Sequence, residues 1–171
     1  MKNIIIMMEQ KMSKKLALVT GSFDPITIGH LDIVSRAAKI FDSVIVVVAH
    51  NEEKQYMFTP AQRVEIVREA IKDYENVSVE LCDGYVADFA KNHAADAFVR
   101  GIRGDADVAY EQNMANINFA NSGVDTWFLF ANPMYHDISS TRVREALKNK
   151  HALDTLMETQ SAKKALEFLG E

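Results

Sequence analysis

The sequence predicts an α/β fold in which one doubly wound, parallel sheet of five strands is followed by C-terminal helices. Short β-branched runs alternate with longer amphipathic runs, a pattern typical of a parallel sheet covered by helices on both faces. The run 44–48 is apolar at every position, as expected of a central strand buried on both faces. A chain of 171 residues with 48% hydrophobic residues is long enough to bury one full core.

The predicted elements alternate along the chain as they do in a Rossmann-like fold. The strands are short runs rich in β-branched or aromatic residues, namely Leu16–Thr20, Ser43–His50, Val77–Cys82, Ala97–Val99 and Thr126–Ala131. The helices are longer amphipathic runs, namely Leu31–Phe41, Pro60–Tyr74, Tyr85–Ala94, Ala106–Asn121, Ser140–Lys150 and about Leu153–Leu169.

Two of these helices carry the clearest sequence signals. In the first, Leu31, Val34 and Phe41 share one face. In the second, the residues Thr59–Gln62 match a capping box with proline at the first helical position, which fixes where the helix begins. Ligands of open parallel sheets bind beyond the carboxyl ends of the strands, so the residues that follow strands are the candidates for function.

Residues 1–12 are predicted to be a flexible N-terminal leader, and residues 13–171 are predicted to form a single domain. The apolar cluster Ile4–Met8 is too short for a membrane span, and no small-residue cleavage site follows it. Because Met12–Lys15 reads like a natural start just before the first strand, we expect residues 1–11 to be dispensable for activity.

Composition narrows the classes of partner. The net charge of −5 provides no overall attraction to nucleic acid or to an anionic membrane, so neither is an expected partner. The single cysteine, Cys82, excludes an internal disulfide and a cysteine-rich zinc site. A cytoplasmic location is therefore expected.

The most informative segment is 20–30, which links the first strand to the first helix. Gly21 and Ser22 make a small-residue turn, and Gly29 allows close approach of a ligand to the backbone just before His30. Backbone N–H groups and the positive end of a helix dipole suit a bound phosphate at such a turn. A lone histidine is more often structural than functional. The converging donors nevertheless favour a functional role for His30, which could add a charge or a hydrogen bond to the bound phosphate.

Three cations follow other strands. Lys54 lies in the loop after the second strand, and Arg100 and Arg103 flank Gly101 and Ile102 after the predicted strand 97–99. Guanidinium groups match phosphate oxygens in geometry, and glycine lets backbone amides take part. Surface salt bridges are the alternative explanation, which we rank below phosphate binding.

A hydroxyl cluster opens the helix predicted at 140–150. One hydroxyl would be explained by helix capping, but Ser139, Ser140 and Thr141 in succession offer a second phosphate contact. The sequence has no Walker motif, no evident nucleophile–base pair and no metal-ligand spacing of the His-x-x-x-His type. This pattern favours phosphoryl or nucleotidyl transfer by positioning and charge neutralisation, without a covalent enzyme intermediate. A non-catalytic nucleotide sensor and a flavodoxin-like electron carrier are the alternatives from other classes.

These motifs resemble those of a known superfamily. The Thr-x-Gly-His run at 27–30, the preceding Gly-Ser-Phe-Asp-Pro and the Ile-Ser-Ser-Thr run at 138–141 are similar to the nucleotidylyltransferases. Within that superfamily, the segment 100–118 resembles the bacterial phosphopantetheine adenylyltransferases, with the match running from about Lys15 to Lys150. Phe119 stands where that family commonly has arginine, and the run 138–145 also resembles nicotinate mononucleotide adenylyltransferases. The nearest rival is therefore another nucleotidylyltransferase, with nicotinate mononucleotide or an alcohol phosphate as its acceptor.

The resemblance implies transfer of AMP from ATP to 4′-phosphopantetheine, giving dephospho-coenzyme A and pyrophosphate, with Mg²⁺ and often a homohexamer. It implies that His30, Lys54 and Arg100 are catalytic. It places at the phosphopantetheine site Ser22, Lys54, Val86 and Arg100. It places at the ATP site Ser22, Phe23, His30, Gly101, Ile102, Arg103, Glu111, Tyr135, His136, Asp137, Ile138, Ser139, Ser140 and Thr141. The metal ligands are not evident from the sequence.

Overall fold

A computed structural model of the protein describes residues 14–170. The predicted leader at 1–12 lies outside these residues, and its dispensability stays a prediction. No helix between residues 14 and 170 is long and apolar enough to cross a membrane.

Five parallel strands form one sheet, which confirms the predicted fold class. The strands are β1 (Leu16–Gly21), β2 (Ser43–Ala49), β3 (Val77–Cys82), β4 (Ala97–Ile102) and β5 (Thr126–Phe130). Their order across the sheet is β3-β2-β1-β4-β5. The strands run outward from β1 through β2 to β3 on one side and from β4 to β5 on the other, so the direction of winding reverses between β1 and β4. Such a reversal opens a crevice at the carboxyl ends of these two strands.

Helices cover both faces of the sheet. They are α1 (Ile28–Ala38), α2 (Pro60–Ile71), α3 (Val86–Asn92), α4 (Asp105–Ser122), α5 (Ser140–Lys148) and α6 (Thr159–Leu169), with a short 3-10 helix at Pro133–Tyr135. The larger apolar core packs α1, α2, α5 and α6 against one face, and a smaller one packs α3 against the other. Val46, Val47 and Val48 of β2 have no exposed surface, as the apolar run predicted.

Several predicted boundaries are wrong by up to about six residues, including the ends of α1 and α2, which lie three residues before the predicted Phe41 and Tyr74. Three of the differences have identifiable reasons. α1 begins at Ile28 and not at Leu31, because Thr27 and His30 form a capping box that the apolar pattern does not reveal. β4 continues past Val99 to Ile102, pairing there with β5. The last helix begins at Thr159 and not near Leu153, because the Glu158 carboxylate accepts the N–H groups of Gln160 and Ser161 and so caps it there.

Candidate active site

The loop between β1 and α1 is held in one shape by its own polar groups. The Oγ1 of Thr27 accepts the N–H of His30 at 3.3 Å, and the N–H of Thr27 donates to Nδ1 of His30 at 3.1 Å. At Gly21, the last residue of β1, a Cβ would lie 3.0 Å from the ring of Phe23, so any side chain there would have to displace that ring. The first turn of α1 is therefore presented at the carboxyl end of β1 with a fixed geometry.

His30 is held as a neutral hydrogen-bond donor. Because Nδ1 accepts from a backbone N–H, the ring proton of the neutral imidazole lies on Nε2. Burial, and then the positive charges of Arg100 and Arg103, lower the pKa of His30 to about 4. Phe23 packs against the ring edge-on, with centroids 5.2 Å apart. Of the two actions that the sequence allowed, this environment favours a hydrogen bond over a charge.

Arg100 lies within β4 and forms a bidentate pair with Glu111 of α4. Its Nε donates to Oε2 at 2.8 Å and its Nη2 donates to Oε1 at 2.6 Å. Its Nη1 also donates to the backbone carbonyl of Thr20, at the end of β1. These bonds fix the guanidinium plane across the gap between the two central strands.

Arg103 follows β4 and is paired one helical turn away. Its Nε donates to Asp107 at 3.0 Å, and this bond holds the pKa of the Asp107 carboxyl below its usual value. Both predicted phosphate-binding arginines thus have carboxylate partners, and salt bridges are the alternative that the sequence analysis ranked below phosphate binding.

The start of α5 is attached to the same loop from the other side. The Oγ of Ser140 donates to the carbonyl of Pro25 at 2.8 Å, and Nη1 of Arg144 donates to the carbonyl of Asp24 at 2.7 Å. The buried Asp24 carboxylate accepts the N–H groups of Met57 and Phe58, each at 2.9 Å. The loops after β1 and β2 and the start of α5 are therefore joined into one wall.

A cavity of about 390 Å³ opens at this wall. It brings together the β1–α1 loop, His30, both arginines and the start of α5. The predicted ATP-site residues that line it are Ser22, Phe23, His30, Gly101, Arg103, Glu111, Tyr135, Ile138, Ser139, Ser140 and Thr141. Ile102, His136 and Asp137 do not line it: Ile102 is buried, and the other two are exposed. The roles assigned to these residues stay predictions.

A second cavity of about 680 Å³ lies on the other side of Arg100. Lys54 and Val86, both predicted at the acceptor site, line this cavity and not the first. The two cavities share one wall, made of Thr20, Gly21, Ser22, Arg100 and Glu111. Two ligands bound in the two cavities would therefore meet at Ser22 and Arg100.

Comparison with known proteins agrees with this arrangement. Residues 18–146 match the model of the cytidylyltransferase-like family. The phosphopantetheine adenylyltransferase of Thermobifida fusca is 47% identical over 125 residues, which cover 73% of this chain and 76% of that protein. The protein of the same name from Cutibacterium acnes is 45% identical over 133 residues, covering 78% of this chain and 85% of its own. The chain belongs to the phosphopantetheine adenylyltransferase family.

A solved structure of low sequence identity shares the fold of this family member. The bifunctional NMN adenylyltransferase/ADP ribose pyrophosphatase of Francisella tularensis superposes with a TM-score of 0.71 at 16% identity. The superposition covers 92% of this chain and 50% of that one. At this identity, the similarity supports the fold alone.

Sequence reasoning missed several residues that shape the site. Asp24 was interpreted only as part of a turn, and Arg63 and Arg144 were not considered. Arg144 has a sequence signal, because it lies one turn after the hydroxyl cluster on α5. Asp24 and Arg63 have none, because none of the hydrogen-bond partners of their side chains is local in sequence: these partners lie 33 and 34 residues from Asp24, and 13, 14 and 41 residues from Arg63.

Proposed function

We propose that the protein transfers the adenylyl group of ATP to 4′-phosphopantetheine, giving dephospho-coenzyme A and pyrophosphate. Family membership supports the pair of substrates, since two relatives with 45–47% identity carry the name phosphopantetheine adenylyltransferase. The observation that carries the proposal is the common wall between the two cavities. This wall would let a phosphate in the second cavity approach the α-phosphorus of a nucleotide in the first.

In the proposed reaction, an oxygen of the acceptor phosphate attacks the α-phosphorus in line. A new P–O bond forms, the bond from the α-phosphorus to the α–β bridging oxygen of ATP breaks, and pyrophosphate leaves with that oxygen and the electron pair. Lys54 and Arg100 would orient the acceptor phosphate. The N–H at Nε2 of His30 would donate to an oxygen that gains charge in the transition state. Of the first-turn amides of α1, Gly29 would donate as well, because the N–H groups of Ile28 and His30 are already bonded to Leu156 and Thr27. No covalent enzyme intermediate is required.

Mg²⁺ is proposed to enter with the nucleotide. Within residues 14–170, no group of three or more histidine, cysteine, aspartate or glutamate side chains could hold a metal ion. The carboxylates that line the first cavity, Asp107 and Glu111, are engaged with arginines. This donor set fits an ion held mainly by phosphate oxygens and water, as is usual for Mg²⁺ in nucleotide sites. When bound, Mg²⁺ would neutralise part of the triphosphate charge.

Pyrophosphate release across a panel of acceptors tests the proposed reaction. The panel contains 4′-phosphopantetheine, nicotinate mononucleotide and an alcohol phosphate, each with ATP and with CTP. We expect turnover with ATP and 4′-phosphopantetheine only. Turnover with nicotinate mononucleotide would refute the proposed function and identify a nicotinate mononucleotide adenylyltransferase. Tight ATP binding without turnover on any acceptor would identify a nucleotide sensor.

We also propose that the protein forms a homo-oligomer, as implied by its family resemblance, with a hexamer as the expected form. α4 has 18 residues, yet only Glu111 and Asn118 are buried in the monomer. Large apolar side chains are exposed on α4, at the end of the edge strand β5 and just after it, namely Tyr110, Ile117, Phe119, Phe130 and Met134. We call this set the α4–β5 surface. An apolar surface of this kind is typical of contacts between protein chains.

The remaining proposals concern location and other partners. The single cysteine and the net charge of −5 support a cytoplasmic enzyme that acts on small molecules, without nucleic acid or membrane partners. Fractionation of cells that produce the tagged protein would test the location.

A further inference from the structure

Arg63 is a buried cation that the proposed reaction does not use. It lies on α2 and has no exposed surface. Its Nη1 donates to the carbonyls of Ser22 and Ala49, at 2.6 and 3.1 Å, and its Cζ lies 4.1 Å from the ring centroid of Tyr56. Arg63 thereby connects the loop after β1 to the end of β2 and holds the Ser22 segment of the common wall.

The same guanidinium fixes the ring of His50. Its Nη2 lies 3.0 Å from Nδ1 of His50, and because arginine has only donors, Nδ1 must accept. The ring proton of His50 is therefore on Nε2. The backbone N–H of His50 donates to the carbonyl of Cys82 at 3.2 Å, and its ring packs 5.4 Å from that of Tyr56. The imidazole is held by Arg63 and Tyr56, and its backbone by Cys82, before any ligand binds.

His50 lines the second cavity, together with Lys54 and Tyr56. Within residues 14–170, its Nε2 makes no hydrogen bond or ion pair. A fixed donor on the wall of a binding cavity loses little conformational entropy when it binds, so it can select a ligand oxygen at a defined position.

We propose that His50 is a further binding residue for the acceptor substrate, donating its Nε2–H to an acceptor oxygen, and that Arg63 is the residue that positions it. This inference rests on the proposed function, because it names a contact to 4′-phosphopantetheine. The group on the substrate that His50 would bind is an oxygen that accepts a hydrogen bond. Two sources of that oxygen are possible on this substrate: the phosphate and the carbonyl or hydroxyl groups of the pantetheine arm.

The test uses two substitutions of His50 in the full-length protein. His50→Asn keeps an oxygen near the position of Nδ1, which can still accept from Arg63, but it removes the donor at Nε2. His50→Gln places an amide N–H near the position of Nε2. We expect His50→Asn to raise the KM and Kd for 4′-phosphopantetheine about tenfold, the effect of one hydrogen bond, with kcat and the KM for ATP within about twofold. His50→Gln should recover part of the loss.

Calorimetric titration separates the two oxygen sources. Weaker binding of 4′-phosphopantetheine by His50→Asn, with unchanged binding of pantetheine, would assign the oxygen to the phosphate. An equal loss for both ligands would assign it to the arm, and either result supports the proposal. His93→Asn is the matched control, because the His93 ring bonds to Glu80 and to the carbonyl of Phe89 and lines neither cavity.

Two results would overturn the inference. One is an unchanged KM for 4′-phosphopantetheine in a folded His50→Asn protein. The other is an equal rise in both KM values together with a lower melting temperature, which would show a purely structural role. An inactive wild-type protein would refute the proposed function, whereas an active wild type with an unaffected His50→Asn variant would refute only the role of His50.

Discussion

His30 should remain uncharged throughout the neutral pH range, and this can be measured directly. A group with a pKa of about 4 is protonated in about 1% of molecules at pH 6, whereas a histidine with an ordinary pKa of 6.5 would be mostly protonated. The imidazole proton resonances should report a midpoint well below 5 for His30. A titration between pH 3 and 8, with the resonance assigned by its loss in His30→Gln, measures the midpoint.

The lowered pKa also has a consequence for folding. Because the unfolded chain takes up a proton at His30 below pH 6.5 and the folded chain resists it down to about pH 4, this site's contribution to stability is present above pH 6.5 and is lost as the pH falls to 4. The difference between the pKa of 6.5 in the unfolded chain and about 4 in the folded chain corresponds to about 3 kcal/mol of unfolding free energy at most. Since the ring lines an open cavity, water screens part of this, and we expect about 1–2 kcal/mol.

Unfolding by urea at pH 7 and at pH 4.5 checks this magnitude. The wild type should lose more stability between the two values than His30→Gln, which has no titrating ring. The difference between the two proteins isolates His30 from the carboxylates that titrate in the same range. A midpoint near 6.5 in the spectra, or identical losses of stability in the two proteins, would refute the assignment of His30 as a neutral donor.

Three further predictions concern catalysis, the loop framework and assembly. His30→Ala should lower kcat about 10²-fold or more while ATP binding is mostly kept, because its donor acts chiefly in the transition state; a loss confined to ATP affinity would contradict this. Asp24→Asn should lower the free energy of unfolding by about 1–3 kcal/mol, since an amide cannot accept both backbone N–H groups; unchanged urea denaturation would contradict it. Phe130→Glu, in the α4–β5 surface, should shift sedimentation toward smaller species, whereas the same change at exposed Ile40, outside that surface, should not.

The sheet was predictable because its signals are local. The apolar run of β2 and the capping box at Thr59–Gln62 each depend on residues within a few positions, and both are present as predicted. The end of β4 was wrong because Arg100 and Gly101 do not have the composition of a buried strand. They lie in the strand because β5 supplies partners at Phe128 and Leu129.

The electrostatics of the site were less accessible from sequence. The sequence identified Arg100 and Arg103 as cations but gave no sign that Glu111 would accept a bidentate bond from Arg100, since this depends on how α4 lies against β4. Similarly, the depressed pKa of His30 requires knowledge of its burial and of the two guanidiniums near it. Residue type predicts which groups are available, whereas packing decides their charge.

The pairing of these charges bears on how the site could catalyse the proposed transfer. Arg100 is paired with Glu111 and Arg103 with Asp107, and His30 is neutral, so these groups together add little net charge to the first cavity. Lys54, by contrast, has no ion pair among residues 14–170, and it lies on the acceptor side. Unpaired cations around a triphosphate would stabilise the bound substrate as much as the transition state, which lowers KM without raising kcat. By contrast, donors that are fixed in place and whose charge is compensated act mainly on the oxygens that gain charge in the transition state. Catalysis would therefore depend on where the N–H groups of His30, Arg100 and Arg103 point more than on their total charge.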